Sequence, residues 1–251
     1  MESAQNEEFL RNLAKNQFLL PESFDVYSFL CALLPNLRST DAELRDNLSY
    51  YTFVNLLNKY PLTAGQLEAL LELVASEDFL RHRIGEDDTD SVFGRSFSVL
   101  IVAAIIDYDT KRLQLSAPCV QETLHVVLDY AKNERDYRGY VDGKGWAHAV
   151  AHTADALDSF AQHPLVTNDT RLMILEAIAH LASLSSPLTY MEDDRLAYPV
   201  LRMVEAKQLS QDCFESWLTH FRIDHIPPKA ATLQHVNAAH FLRSLYFLFL
   251  R

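Results

Sequence analysis

The chain has 251 residues, is 49% hydrophobic and carries a formal net charge of −12 at pH 7. This much apolar surface argues against a disordered chain, and the acidic balance excludes a nucleic-acid partner because phosphates would be repelled. The three cysteines lie far apart in apolar surroundings, which excludes a disulfide scaffold and indicates buried thiols in a reducing compartment.

Both ends of the chain lack the patterns of secretion and membrane insertion. Residues 1–17 carry acids and amides where a signal peptide needs a basic start and an apolar core. We expect only one membrane-like segment, 241–251, which is interrupted by Arg243 and is about half as long as a spanning helix. We therefore expect a cytoplasmic protein without membrane contact, and a last helix buried against its neighbour.

Apolar residues recur at helical spacing along almost the whole chain, and no alternating run flanked by hairpin turns interrupts them. This pattern predicts an all-α fold. Prolines and capping residues, such as Thr40 followed by Glu43, indicate where the helices begin and end. The predicted helices, roughly eleven because one or two short ones count as single turns, cover residues 5–16, 23–34, 40–59, 63–75, 77–83, 90–107, 118–132, 144–161, 168–183, 193–206, 210–221 and 231 onward.

Taken in pairs, these helices recur at about 40 residues, close to the period of HEAT and armadillo repeats. No repeated sequence signature accompanies the period. We predict an irregular α-solenoid of HEAT/armadillo-like helical hairpins, with one set of helices lining a concave face. Because no linker-like stretch interrupts the chain, residues 1–251 are predicted to form a single helical-repeat domain.

The segment 138–158 is the first candidate site, since it holds three of the six glycines and one of the two tryptophans. If its helix begins near Lys144, then His148, His152 and Asp155 share one face. Two imidazoles one turn apart can bind a divalent metal ion such as zinc, with Asp155 as third ligand or as the carboxylate that orients an imidazole. A fourth ligand would come from another helix.

Two other interpretations of this segment stay open. The histidines can be core residues of a well-capped helix, because spacings of this kind also arise by chance. The glycine-rich loop, with Arg138 and Lys144 beside a helix start, can bind a phosphate or carboxylate. It can equally be a turn between packed helices, with Trp146 as a wedge.

Three further polar stretches break the amphipathic pattern. Arg95 lies near the start of an otherwise apolar helix and needs a carboxylate partner if it is buried. Acids and arginines around 134–138 and 192–195 are either solvated helix caps or groups that converge on His148. The candidate ligand-binding residues are Arg95, Asp136, Arg138, Lys144, Trp146, Glu192, Asp193 and Arg195.

Four stretches, in order and spacing, resemble the motifs of the bacterial proteins grouped as domain of unknown function 2785. They are DSVFGRSFSVLIVAAII, ERDYRGYVDGKGWAHAVAHTADALD, EDDRLAY and NAAHFLRSLYF. The resemblance implies a helical, repeat-like, cytoplasmic bacterial protein, and it implies no particular activity. Positions that match the family pattern include Arg95, Phe97, Asp136, Arg138, Gly139, Lys144, Gly145, Trp146, His148, His152, Asp155, Glu192, Asp193 and Arg195. Where the pattern has a glycine before the Glu-Asp pair, this chain has Met191, which puts a tight turn there in doubt.

Two functions follow from these patterns. The first is a polar pocket that binds a small anionic or metal-associated ligand around His148, His152 and Asp155. If such a pocket is catalytic, metal-assisted hydrolysis or histidine-mediated proton transfer is the natural chemistry, although the sequence does not decide whether the protein is an enzyme. The second is a scaffold that binds a protein or peptide along its groove, with the polar cluster as internal support.

Overall fold

The structure, a computed structural model, describes residues 6–221 and 232–250. Its α-helices within these ranges are α1 (Glu7–Lys15), α2 (Val26–Leu33), α3 (Tyr51–Lys59), α4 (Ala64–Val74), α5 (Ser91–Thr110), α6 (Ala117–Asn133), α7 (Ala149–Gln162), α8 (Asn168–Ala182), α9 (Glu192–Glu205), α10 (Gln211–Leu218) and α11 (Leu233–Phe249). A 3-10 helix (Leu34–Arg38) and a π-helix (Glu43–Tyr50) separate α2 from α3. An antiparallel ribbon of β1 (Tyr140–Val141) and β2 (Gly145–Trp146) precedes α7. A second 3-10 helix (Thr219–Phe221) follows α10.

Alternate helices pack side by side in two rows. In the first row α5 packs against α7, α7 against α9, and α9 against α11. In the second row α4 contacts α6, and α6 contacts α8. One apolar cluster extends from Leu10 to Leu245 through both rows. The ribbon and the π-helix lie near the start of α7, and they position the candidate site.

The mostly helical fold is confirmed, with three local differences from the sequence-based prediction. The segment 77–83 forms turns rather than a helix, and the predicted helix 40–59 divides into a π-helical and an α-helical part. The third difference bears on the site, because the predicted helix 144–161 begins only at Ala149. Its first residues instead form the ribbon, in which Tyr140 pairs with Trp146 across a glycine-rich turn.

Helix α5 is long and apolar enough to span a bilayer by length and composition. Most of its side chains are buried within the fold, as in the core helix of a soluble protein. The apolar helix predicted at residues 90–107 is therefore present as a largely buried helix. Whether 1–251 is a single domain stays a prediction.

The C-terminal helix packs against its neighbour as expected, but it is buried on one face only. Ala238, Phe241 and Leu245 are buried on the face that packs against α9 and α8. Tyr246 and Phe247 are 61% and 64% exposed on its other side. Residue 231, where this helix was predicted to begin, lies outside the described residues.

Candidate functional site

The ribbon before α7 is fixed to the π-helix by Arg45, a fully buried side chain. Its Nη2 donates hydrogen bonds to the carbonyl oxygens of Lys144 and Trp146, at 3.0 and 3.3 Å, and its Nη1 donates to Ser39. The guanidinium also lies 4.3 Å from the centre of the Phe93 ring. Such a contact between a cation and an aromatic face is favourable in a buried environment. Arg45 therefore holds the ribbon in one position, and motif reasoning did not find it.

His148 lies just outside α7, at its N-cap, so the prediction that it is part of the helix is wrong, although its ring still lies beside that of His152. Its φ of 52° is in the left-handed region, which residues other than glycine rarely adopt. The imidazole stacks on Trp146, with ring centres 4.1 Å apart and planes within 2° of parallel. Its Nδ1 is buried and has no hydrogen-bond partner among the described residues. Burial, with a smaller effect from the positive Arg195, lowers the pKa of His148 to about 4.

His152 is buried inside α7, with its ring centre 5.6 Å from that of His148. Its Nδ1 lies 3.1 Å from the carbonyl oxygen of Ser96. Because a carbonyl can only accept, Nδ1 carries the proton and Nε2 is the free nitrogen. Burial, and then the neighbouring His148 and Arg195, lowers the pKa of His152 to about 3. Both imidazoles are therefore neutral at pH 7.

Asp155 is one turn further along α7 and is bound by Arg195 of α9. Arg195 Nε donates to Asp155 Oδ1 at 2.9 Å, and Nη2 donates to Oδ2. Burial raises the pKa of Asp155, while the hydrogen bonds and charge of Arg195 oppose the rise. The Arg195 side chain is 47% exposed, so part of this ion pair faces solvent.

Tyr50, the last residue of the π-helix, lies beside this ion pair. Burial raises its pKa to about 12, with Asp155 adding to the rise and Arg195 opposing it. Its ring also packs edge-on against Phe97, which contacts His152 in the same way. Sequence analysis missed Tyr50, because the signal that could have found it is a π-helical segment. Such segments are frequent at functional sites, but no residue pattern marks them.

Arg95 is paired away from the imidazoles. Its Nε and Nη2 donate to the two carboxylate oxygens of Glu134 at 2.7 and 2.9 Å, and both residues are buried. Its Nη1 donates to Ser91 Oγ at 2.6 Å and to backbone carbonyls. The expected carboxylate partner is thus Glu134, and the guanidinium joins α5 to the segment after α6.

Arg138 and Lys144 also direct their charges to carboxylates of the same chain. Arg138 donates from Nη2 to Asp136 Oδ2 at 2.6 Å and from Nη1 to Asp88 at 2.9 Å. Lys144 Nζ lies 2.6 Å from Asp90 Oδ1. A phosphate at the glycine-rich turn would therefore have to compete with carboxylates already in place.

The two predicted acidic residues at the start of α9 each accept a hydrogen bond. Glu192 is buried and accepts a hydrogen bond from the backbone N–H of Tyr190 at 2.7 Å, and burial raises its pKa. Asp193 accepts a hydrogen bond from Ser244 of α11 at 3.0 Å. Met191 has a φ of 65°, so the tight turn is present although the residue is not glycine.

An exposed aromatic group borders the histidines. Trp146 makes edge-to-face contacts with Tyr140 and Tyr190, at centre distances of 5.0 and 5.2 Å. Tyr190 packs so closely on Gly139 that a Cβ there would lie 2.1 Å from the ring. Gly139 in turn accepts backbone hydrogen bonds from Ala147 and His148. Close packing around this glycine therefore places both Trp146 and the backbone of His148.

The structure thus brings together part of the predicted site. His148, His152, Trp146 and the Asp155–Arg195 pair lie close to one another, and Arg45 and Tyr50 lie beside them. Four other predicted residues form ion pairs elsewhere within the chain: Arg95, Asp136, Arg138 and Lys144. Among the described residues, no three His, Cys, Asp or Glu side chains stand in an arrangement ready to hold a metal ion. The metal site stays a prediction.

Comparison with known proteins bears on the whole of this region. The family described as "Protein of unknown function (DUF2785)" matches residues 80–247, which include every predicted site residue. The chain belongs to this family. No curated protein and no solved structure matches it. Membership in DUF2785 confirms the resemblance seen in the sequence motifs, and it leaves the activity to be inferred from the site itself.

Proposed function

We propose that this DUF2785 protein binds a divalent transition-metal ion, zinc in first place, or a small ligand that carries such an ion, at His148 and His152. The observation that carries the proposal is the buried, unpartnered Nδ1 of His148. A buried polar atom without a partner costs about 1–3 kcal/mol. The left-handed backbone of His148 adds a cost on the order of 1 kcal/mol. Such costs are typical of functional sites.

The orientation of His152 supports the same proposal. An imidazole that binds a metal usually donates its other ring N–H to a carbonyl or carboxylate, which fixes the tautomer. His152 makes this contact with Ser96, which leaves Nε2 unprotonated. Because the pKa values of both histidines are far below 7, protons do not compete for the imidazoles at neutral pH.

Arg195 gives the site a resident positive charge. Its guanidinium lies on Asp155 and lowers the pKa of both histidines. A metal ion that enters would repel Arg195, whose half-exposed side chain is free to turn toward solvent. Asp155 would then be released as the third ligand, completing the His-His-Asp set that zinc accepts. Substrate or water would take the fourth position.

The test is zinc binding to the untagged protein purified without chelator. Elemental analysis and calorimetric titration with zinc chloride should give one equivalent, and the His148→Gln variant should bind at least about tenfold more weakly, in line with loss of one ligand. His125→Gln is the matched control, because His125 is exposed on α6. The thiols of Cys119 and Cys31 compete little for zinc, since burial raises the pKa of Cys119 to about 11 and raises that of Cys31.

Two outcomes would contradict this proposal. One is a wild-type protein that binds no zinc, manganese or iron. The other is zinc binding that His148→Gln and His125→Gln reduce equally, because the ion would then lie elsewhere. Folding of each variant is checked by its helical circular dichroism.

A second candidate function is a scaffold for a protein or peptide, in which the polar residues are internal support. The internal pairing of Arg95, Arg138 and Lys144 favours it, because these cations are not free to bind an anionic ligand. On this account His148→Gln lowers the melting temperature and no metal is found. A His148→Gln variant as stable as the wild type would count against it.

We further infer that the two rows of helices form an irregular α-solenoid, as in HEAT and armadillo proteins, and that the protein acts in the bacterial cytoplasm. The alternation of helices between rows supports the first inference, since each hairpin of a solenoid contributes one helix to each layer. Free cysteines, as expected in a reducing compartment, support the second. A solved structure of the whole chain would test the arrangement directly.

A further inference from the structure

The outward face of α11 carries a regular stripe of side chains. Successive members are three or four residues apart, the heptad spacing of helices that pair along a seam. The stripe consists of Leu233, Val236, His240, Arg243 and Phe247 of α11 and of Leu250, the residue that caps its C-terminal end, all exposed. We call these six residues the α11 seam.

A helix that is apolar on both sides is normally covered on both sides. The inward face of α11 buries Phe241 and Leu245, whereas Phe247 and Leu250 on the seam are each 64% exposed. Tyr246, 61% exposed, widens the apolar surface. The seam thus has exposed apolar side chains at each of its ends, and groups of exposed apolar side chains are found at interaction surfaces.

Charge indicates what covers the seam. The chain has 34 acidic residues, yet α11 contains no Asp or Glu in its 17 residues. Two molecules with a net charge of −12 repel each other least where each presents a surface without carboxylates. The seam is such a surface, which makes a second copy of the same chain a suitable occupant.

The order of residues along the seam determines the direction of pairing. In an antiparallel pair related by a two-fold axis, Leu233 meets Leu250 of the other copy, Val236 meets Phe247, and His240 meets Arg243. Apolar residues then contact apolar residues at both ends, and in the centre an imidazole can accept a hydrogen bond from a guanidinium. A parallel pair would instead place Arg243 against Arg243. We propose that the protein is a homodimer joined by antiparallel pairing of its two α11 helices.

Sedimentation velocity of the full chain over a range of concentrations tests the proposal. We expect a concentration-dependent dimer. Phe247→Glu should raise its dissociation constant on the order of 100-fold, because each substitution occurs twice in a two-fold symmetric interface. Gln234→Glu is the matched control, because this exposed position of α11 lies off the seam. It should leave the dimer largely intact.

Cysteine cross-linking tests the direction of pairing. A mixture of Val236→Cys chains and Phe247→Cys chains should form a disulfide-linked dimer on mild oxidation, whereas each variant alone should form little. Within one helix these positions are about 16 Å apart, too far for an internal bond. Oxidised wild type controls for the three native cysteines, which are half-buried.

The proposal is overturned by a monomer at every concentration, or by a dimer that Phe247→Glu does not weaken. Cross-links within each single variant would show parallel pairing and overturn the antiparallel arrangement. A monomer that floats with phosphatidylcholine vesicles would assign the seam to a lipid surface instead. None of these outcomes depends on metal binding at His148.

Discussion

At the scale of single residues, the two histidines make stability depend on pH. Burial lowers their pKa values to about 4 and about 3, whereas in the unfolded chain they stay near 6.5. The unfolded state therefore binds protons first on acidification. The folded state is therefore favoured fully above pH 6.5, where both histidines are neutral in either state. This contribution to the unfolding free energy is lost as the pH falls toward the folded pKa values, by up to about 1.4 kcal/mol per pH unit for each histidine.

Urea unfolding of wild type and of the His148→Gln/His152→Gln variant between pH 7 and 5 measures this effect. As the pH falls from 7 to 5, the unfolding free energy of the wild type should fall more than that of the variant. Acidic groups common to both proteins cancel in the difference, including Asp155 and Glu192, whose pKa values burial raises. A difference that is constant with pH would contradict the neutral, buried placement of the pair.

Met191 is a residue in a backbone conformation that favours glycine. Met191 has a φ of 65° and an exposed side chain, so little packing is lost when it is replaced by glycine. Met191→Gly should therefore relieve backbone strain and stabilise the protein by about 1 kcal/mol, a rise of roughly 2–4 °C in melting temperature. Met173→Gly is the control, because Met173 is exposed within α8 and there the same change should destabilise by about 1 kcal/mol. A lower melting temperature for Met191→Gly would refute the interpretation.

At the scale of elements, the ribbon is positioned by contacts that leave no room for a side chain at Gly139. A Cβ would lie 2.1 Å from Tyr190 and 3.0 Å from the base of its ring, so the whole side chain would have to rotate away. Gly139→Ala should therefore destabilise the protein by about 1–3 kcal/mol. The melting temperature measures this, and the change should also weaken zinc binding because Gly139 accepts hydrogen bonds from Ala147 and His148.

Gly65→Ala provides the comparison for this change. Gly65 lies in the first turn of α4 with no neighbouring atom within 4 Å of a built Cβ, so alanine there should raise helix stability slightly. If Gly139→Ala proves as harmless as Gly65→Ala, the ribbon is not held by the Tyr190 contact.

At the scale of the whole molecule, helical periodicity was sufficient to predict the mostly helical fold. It failed where tertiary contacts override local pattern. The glycines at 139, 143 and 145 were recognised as unusual, but nothing in the sequence shows that Arg45, about a hundred positions earlier, binds the turn they make. The ribbon takes up residues that were predicted to start the helix, so the helix begins at Ala149 and His148 is its N-cap.

The candidate site was predictable to a similar degree. His148, His152 and Trp146 were identified by their unusual local context, and the buried Arg95 was correctly expected to need a carboxylate. Which groups would be used up in internal pairs could not be predicted, because Arg138 and Asp88 are fifty residues apart and meet only through packing. Tyr50 was missed because no residue pattern marks the π-helical segment that places it beside the Asp155–Arg195 pair.

Zinc affinity as a function of pH is the measurement that tests the central claim most directly. Because the pKa values of His148 and His152 are about 4 and about 3, calorimetric titration of the wild type should give nearly the same dissociation constant at pH 7.0 and at pH 5.5. Histidines with ordinary pKa values near 6.5 would lose about tenfold or more in affinity over this range. One equivalent of zinc with a flat pH dependence that disappears in His148→Gln is the predicted result. No binding, or an affinity that falls like that of exposed histidines, would contradict it.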